Sequence, residues 1–513
     1  MIKRLLFLAT LIFTFSIQLN AGTTGKISGI VTDAETGEAL PGINILIEGS
    51  TMGAASDING EYIINNIPPG KYAIIVSGVG FQKRKLLQVQ VSADFTTNVD
   101  IEMSIESITT ETVVVQAKNP MIRKDLTSSH TTVDASTIAS LPVESITQLL
   151  TLQAGITQGA GGEIHIRGGR ANETSYTVNG MSISNPYDNT RTVVIAPNAI
   201  QELSVVSGTF NAEYGNALSG IVNTITKEGS NNLHGSATFY TGDYLSNNTE
   251  TFFNIDDIDP LNNTVSEFTL SGPILSNKLS FFVSGRYAND KGYLYGIKQH
   301  NVTDSVVKNP LDPNDILVLS SGDGAIVPMN SGWSFSTTGK MTYRPISTFK
   351  INVDLIYSKN EYTPYDHDLK YNPDANNPRY GWGFFGMLEV RHAISNTTFY
   401  TVRASYNEDD YKRYLYPLID ASGNPVEFSA GESHEGYFAD PRYQPDYKST
   451  VRPAPISFSA GGTYQSGGQS HFYQRTKIFG GKFDMTSQLN KNHELKFGGQ
   501  LRTYDIAMNS FSI

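Results

Sequence analysis

Few of the 513 residues are arranged for covalent chemistry. None of the nine histidines is followed three positions later by a glutamate, so the paired ligands that hold a catalytic zinc with one open position are missing. There is no cysteine, which removes thiolate metal sites, a disulfide framework and a lipid-bearing cysteine after the leader. The stretch Ser56-Asp57-Ile58-Asn59-Gly60-Glu61-Tyr62 has the glycine of a calcium loop. With Gly60 at the sixth place, however, the first ligand falls on Ala55 and the twelfth on Asn66, and neither supplies a carboxylate. Gly159-Ala160-Gly161 leads into a strand and has no Lys-Ser/Thr pair after it, so it reads as a turn rather than a phosphate cradle. The expectation is a protein that is not an enzyme, with no catalytic residue, no metal and no cofactor.

What remains is the chemistry of recognition. Arg167 and Arg170, around Gly168-Gly169, are either solvated surface cations or partners for carboxylates on a closely approaching surface. Glu111-Thr112-Val113-Val114-Val115-Gln116 has a β-branched core in polar surroundings. It is either the last strand of the domain before it or an edge offered to another protein. The net charge of -11, with Lys and Arg scattered, leaves no basic stripe for a phosphate backbone, so nucleic acid is not an expected partner.

The elements that must position these residues fall into successive textures, and the length alone suggests about three or four units. Residues 1–21 have a basic start at Lys3-Arg4 and a short apolar core from Leu5 to Ile17, and they read as a cleavable export signal. Residues 22–104 alternate in short runs, such as Ile43, Ile45 and Ile47, between turns at Asp57–Gly60 and Pro68–Gly70. That spacing gives roughly seven strands and a small β-sandwich. Residues 105–120 form a polar linker that holds the Glu111–Gln116 segment. From 121 to 229 helix and strand mix: Ile146, Leu149 and Leu150 mark one amphipathic helix, and Ile164–Arg167 and Ala199–Gly229 read as strands with glycine turns.

From 230 to 513 the strands lengthen to roughly nine or more residues with one apolar face. Phe349, Ile351, Val353 and Leu355 alternate with Lys350, Asn352 and Asp354, and Tyr400, Val402 and Ala404 with Thr401, Arg403 and Ser405. Turns at Ser276-Asn277, Ser347-Thr348 and Asn490–Asn492 are tight, whereas Asn289–Gly332 and Tyr411–Ser470 are long excursions. A soluble sandwich shares the alternation, but this asymmetry belongs to a membrane barrel. Roughly ten such strands would leave two open edges in lipid, so the sequence reads as the N-terminal part of a larger barrel protein.

Three motifs in order carry a resemblance: Ile166-Arg167-Gly168-Gly169-Arg170, Tyr176-Thr177-Val178-Asn179-Gly180-Met181, and Tyr214-Gly215-Asn216 leading to Asn223-Thr224-Ile225-Thr226-Lys227. They resemble the plug domain of TonB-dependent outer-membrane receptors. The pattern from Gly29–Asp33 through Pro68-Pro69-Gly70 to Gly80-Phe81 resembles the carboxypeptidase regulatory-like domain that stands ahead of such plugs. The resemblance implies a mainly β protein: an N-terminal β-sandwich, an α+β plug and an antiparallel transmembrane β-barrel of about 22 strands in full. It further implies that Glu111–Gln116 is the strand that binds TonB, and that Arg167, Gly168, Gly169, Arg170, Asn179, Gly180, Glu202, Tyr214, Gly215, Gly220, Asn223 and Lys227 are plug motif positions. The two arginines would pair with wall carboxylates. Asn179 stands where the family more often has aspartate.

The implied partners are TonB of the inner-membrane energising complex, outer-membrane lipid, and a small or medium-sized ligand, with or without a surface lipoprotein. The implied address is the outer membrane of a Gram-negative cell, reached through the Sec pathway. The implied activity is energised uptake of a ligand too large for porins. Loop residues such as Trp382, Phe384, Asp366 and Asp368 suit siderophores, glycans or peptides equally. The other reading is an outer-membrane structural or adhesion protein that keeps the fold without import.

Overall fold

The computed structural model describes residues 23–50, 52–105, 113–116, 129–159, 162–208, 217–301, 304, 306–309, 311–318, 320–395, 397–433, 435–438, 440, 470–490 and 493–512. The leader expected over 1–21, Glu111 and Thr112 of the strand segment, and the Tyr214-Gly215 turn lie outside them.

Period-two alternation builds the first domain. Its strands are β1 (Gly25–Asp33), β2 (Asn44–Ile47), β3 (Gly53–Ala55), β4 (Glu61–Ile67), β5 (Gly70–Gly78), β6 (Phe81–Val91), β7 (Thr96–Asn98), β8 (Ile101–Met103) and β9 (Val113–Gln116). One sheet runs β4-β1-β7 with β8 also on β1, and the other runs β3-β2-β5-β6-β9. Ile27, Val31, Ile45, Ile47, Ile67 and Ile74 are buried between them. Full burial of one such side chain is worth about 1.5–3 kcal/mol. The Asp57 turn is tied by its own carboxylate, which accepts from the Asn59 and Glu61 amides. β9 lies parallel to β6, Arg84 opposite Val113 through Leu87 opposite Gln116, so this segment takes the place of the last strand of the sandwich sheet.

The second domain contains β10 (Ser129–Asp134), α1 (Ala135–Ser140), α2 (Ile146–Thr151), β11 (Ile156–Gln158), β12 (Ile164–Ile166), β13 (Thr174–Val178), β14 (Met181–Ser182), β15 (Ile200–Ser207) and β16 (Gly220–Thr226). Its main sheet has the order β10-β15-β16-β13-β14, and β13 is parallel to β16. The expected helix is α2, capped by Ser145 and burying Ile146, Leu149 and Leu150. The sequence reading missed α1. Asp134 caps it, and Ile138 is its one buried residue, so it carries no period to read. β16 is buried at every position and β15 at all but Gln201, polar residues included, because this domain sits inside another.

That other body is a nine-stranded antiparallel wall. Its strands are β17 (His234–Gly242), β18 (Asn263–Leu275) and β19 (Leu279–Asp290), then, beyond four short loop strands β20 (Tyr295–Ile297), β21 (Val306–Asn309), β22 (Asp312–Val318) and β23 (Ile326–Pro328), β24 (Gly332–Ile346), β25 (Phe349–Tyr362), β26 (Arg379–Ala393), β27 (Thr398–Arg413), β28 (Ser470–Asn490) and β29 (His493–Ser512). Each wall strand pairs with the next, and the wall does not close on itself among the described residues. The tight turns gather at one mouth and the long excursions at the other.

Burial decides between a soluble sandwich and a barrel. On β25, Val353 and Leu355 are 39% and 50% exposed while Asn352 and Asp354 are 3% and 0% exposed. A water-soluble sheet does the reverse. Apolar outside and polar inside is the pattern of a strand that faces lipid on one side and a filled lumen on the other.

Candidate functional site

The second domain rests on the polar inner face of the wall, and the contact begins at a turn. Asn179 and Gly180 both have positive φ, 48° and 81°, which joins β13 to β14 in a two-residue hairpin. The turn aims the Asn179 side chain at the wall. Its Nδ2 donates to Asp354 Oδ1 at 3.0 Å and to Thr226 Oγ1 at 2.9 Å, and its Oδ1 accepts from the Thr226 amide at 3.1 Å. Asp354 is ion-paired with Lys340 at 3.1 Å, and Lys340 also donates to the Thr226 carbonyl. Lys482 donates to the Gly180 carbonyl at 3.4 Å. The asparagine therefore brings a neutral donor to a wall carboxylate, where an aspartate would bring a second negative charge.

Just beyond β16, Glu228 bonds Lys350 at 2.6 Å and Arg344 at 3.2 Å. Burial works against its ionised form, but Lys350, Lys340 and Arg344 outweigh burial and hold the carboxyl below the usual range. Behind this lies a ladder of wall charges: Glu389 with Arg403 at 2.7 Å and Arg391 at 3.4 Å, Arg403 with Asp484 at 2.7 Å, and Lys482 with Asp484 at 3.2 Å. Nearer the long-loop mouth, Asn185 donates to Asp409 at 3.0 Å, Asn407 to Thr192 at 2.6 Å, and the Val194 amide to Ser358 at 3.0 Å. One apolar patch adds to the contact, where Phe282, Ile356, Phe385 and Met387 join the core of the second domain.

The sandwich closes on the short-turn mouth. Arg391 and Arg403 both donate to Thr23 Oγ1, at 2.7 and 3.0 Å, and Arg391 also donates to Asn66 at 3.0 Å. Lys26 pairs with Glu494 at 2.9 Å. Toward the second domain, Lys71 meets Asp134 at 3.2 Å, the Ala93 amide donates to Glu202 at 3.0 Å, and Phe95 stacks on His130 with centroids 4.3 Å apart. The three bodies enclose a cavity of about 890 Å³, lined by Lys71, Glu228, Lys340, Lys350, Glu389 and Arg391 among others.

The structure brings together some of the positions expected from the sequence and not others. Asn179 and Gly180 lie at the wall, and Glu202 faces the sandwich. Asn223 stays within its own sheet and accepts from Thr177 at 2.8 Å. Gly220 is a packing position, since a Cβ there would stand 2.4 Å from Ile166 Cδ1. Lys227 bonds through its amide to the Ala199 carbonyl, and burial pulls its ammonium below the ordinary lysine value.

The expected pairing of Arg167 and Arg170 with wall carboxylates is not made among the described residues. Both side chains are exposed: Arg167 follows β12 with a positive φ, and the Arg170 amide donates to Glu173. The groups that hold the wall are instead Asn179, Thr226 and Glu228, together with Lys340, Lys350 and Asp354. Sequence reasoning passed over the last three because an isolated charge in an alternating strand looks like a solvated face.

An α+β domain seated on the polar lumen face of an antiparallel wall, its outer face apolar, defines a plugged outer-membrane barrel. The family comparisons agree on which kind. Residues 27–115 match the CarboxypepD_reg-like domain, and residues 123–221 match the TonB-dependent Receptor Plug Domain. Over these two stretches the chain matches the N-terminal domains of TonB-dependent outer-membrane receptors, a carboxypeptidase regulatory-like domain followed by a plug.

Among curated relatives it is 24% identical over 280 residues to the TonB-dependent transporter Oar of Myxococcus xanthus, covering 50% of this chain and 26% of that one. It is 26% identical over 337 residues to TonB-dependent receptor P3 of Formosa agariphila, covering 59% of this chain and 32% of that one. The chain thus spans about a third or less of the length of these relatives. Among solved structures, the outer membrane transporter YddB from Escherichia coli aligns with 74% of this chain and 48% of its own, at TM-score 0.48 and 12% identity.

Proposed function

We propose that this chain works in energised import across the outer membrane. Ligand meets the long loops and the outer face of the plug, TonB engages the Glu111–Gln116 segment from the periplasm, and the resulting force shifts the plug against the wall so that ligand passes. The ligand is of a class too large for porins, a siderophore, glycan or peptide, and a surface lipoprotein is a candidate companion at the loop mouth. Residues 1–21 would direct export through the Sec pathway.

The observation that carries this reading is the seam between plug and wall. Asn179, Thr226 and Glu228 meet Asp354, Lys340 and Lys350 through polar contacts. Hydrogen bonds to charged groups contribute about 1.5–3 kcal/mol each net, and water can replace them one at a time. A purely structural barrel has no need of a stopper held in this releasable way.

The test is deletion of Thr112–Gln116. Proton-gradient-dependent uptake should vanish while barrel assembly and ligand binding persist. Uptake that continues at the unaltered rate would refute the reading, and surface adhesion that persists without the gradient, with nothing accumulated inside, would favour the structural alternative.

A further inference from the structure

We propose that the body on which the inner-membrane partner pulls is the sandwich, with β9 as its handle: an extended partner strand adds to the outer edge of β9, and load passes through β6 into the sandwich and on to the plug. This rests on the reading of Glu111–Gln116 as the coupling segment. It differs from that reading in where the strand is held, and in what moves with it.

Three observations carry the inference. First, β9 is the terminal strand of its sheet, parallel to β6 on one side and with no strand among the described residues on the other. An edge of that kind presents a row of backbone donors and acceptors and is a ready template for one more extended chain. A partner strand can therefore dock without first peeling β9 away. Second, the sandwich grips the plug at the two strands nearest it. Lys71 pairs with Asp134 at the end of β10 and donates to Ser136 at the start of α1, Ala93 bonds Glu202 on β15, and Phe95 stacks on His130 of β10. Third, the sandwich is also fastened to the wall, through Lys26 to Glu494 and through Thr23 and Asn66 to Arg391.

A pull on β9 is then shared along the β6 ladder, breaks the fastenings at the mouth, and reaches β10 and β15 together. A bare tether would instead load the start of β10 alone. Displacing the plug and uncovering the mouth become one event.

This chain holds no native cysteine, and any cysteine in the remainder of the receptor is replaced by serine before the test. Lys85 and Val114 are Cα partners in the β6–β9 register. Neighbouring strands hold such positions within disulfide reach, so Lys85→Cys/Val114→Cys in the full receptor can be closed by oxidation and reopened by reductant. The probe is the purified periplasmic C-terminal domain of the host's TonB. The proposal expects the oxidised receptor to bind it with a Kd within about twofold of the reduced form. Binding lost on oxidation and restored by reductant would mean that β9 must leave β6; it would overturn the proposal and leave the importer reading standing. A pair that never oxidises would show that β9 does not rest on β6, with the same consequence. Failure of the unaltered receptor to bind the probe would bring down the importer reading as well.

The load path has its own readout. A single Lys26→Cys should react several times faster with a membrane-impermeant maleimide in energised cells than after a protonophore. Equal rates would overturn the proposal.

Discussion

Replacing Lys340 with methionine should loosen the plug more than any single change at its surface. Lys340 and Asp354 are almost completely buried and 3.1 Å apart. Asp354 Oδ1 also accepts from Asn179 and Thr226, while Asp354 Oδ2 has no partner among the described residues. Removing the ammonium leaves a buried carboxylate supported only by neutral donors. Breaking one side of a buried pair costs about 3–5 kcal/mol. At about 1.4 kcal/mol per tenfold, that is a loss of at least a hundredfold in the equilibrium that keeps the plug seated.

The assay uses a Val205→Cys reporter, buried in the plug, in a receptor from which any cysteine outside this cysteine-free chain has been removed. Maleimide reactivity is followed against urea while electrophoretic mobility confirms that the barrel stays folded. Lys340→Met should bring labelling to lower urea, and adding Asp354→Asn should recover most of the shift, because the amide keeps an acceptor for Asn179 and carries no charge. An unchanged midpoint, or no recovery in the double variant, would refute the assignment of this pair as the seat of the plug.

Other outcomes follow from the same geometry. Asp134 is partly buried, which opposes ionisation, but bonds from Thr137, Ser136 and Lys71 prevail and draw its pKa down to about 2. A carboxyl lowered on folding adds stability that is present above its unfolded value near 4 and fades as pH falls toward 2. Protection of the α1 amides from hydrogen exchange, corrected for the intrinsic rate, should be flat from neutral pH to about 5 and fall as pH drops from about 4 toward about 2, and Asp134→Asn should remove that acid limb. Leu355→Arg puts a charge on the apolar outer face and should cost about 2–4 kcal/mol in assembly into bilayers, whereas Asp354→Asn on the inner face should assemble normally. Gly220→Val forces a Cβ within 2.4 Å of Ile166 and should destabilise the plug by about 1–3 kcal/mol in the same urea assay.

The sandwich was legible because its two sheets bury one face each, and Ile43, Ile45 and Ile47 announce that face by period two. The wall strands were legible for the same reason, but the sequence could not say which face was wet; only the burial of Asp354 beside the exposure of Leu355 does so. β15 and β16 were harder. Ser204, Asn223 and Thr226 look like solvent positions in an alternating strand, yet they are buried because a second surface covers them. The wall partners of the plug lie from 70 to 302 residues away in the chain and share no local motif with it. Arg167 stood out by its glycine neighbours, whereas Asn179, held by the same kind of turn, makes the contact expected of the arginines.

The character of the seam bears on repeated use. Apart from the patch at Phe282, Ile356, Phe385 and Met387, a stopper leaving this socket under the proposed import would trade side-chain partners for solvent, and the vacated surfaces would stay wettable. A greasy joint would come apart all at once and bare two sticky faces in the periplasm. A polar seam would loosen in smaller steps and find its seat again, as the proposed import cycle requires.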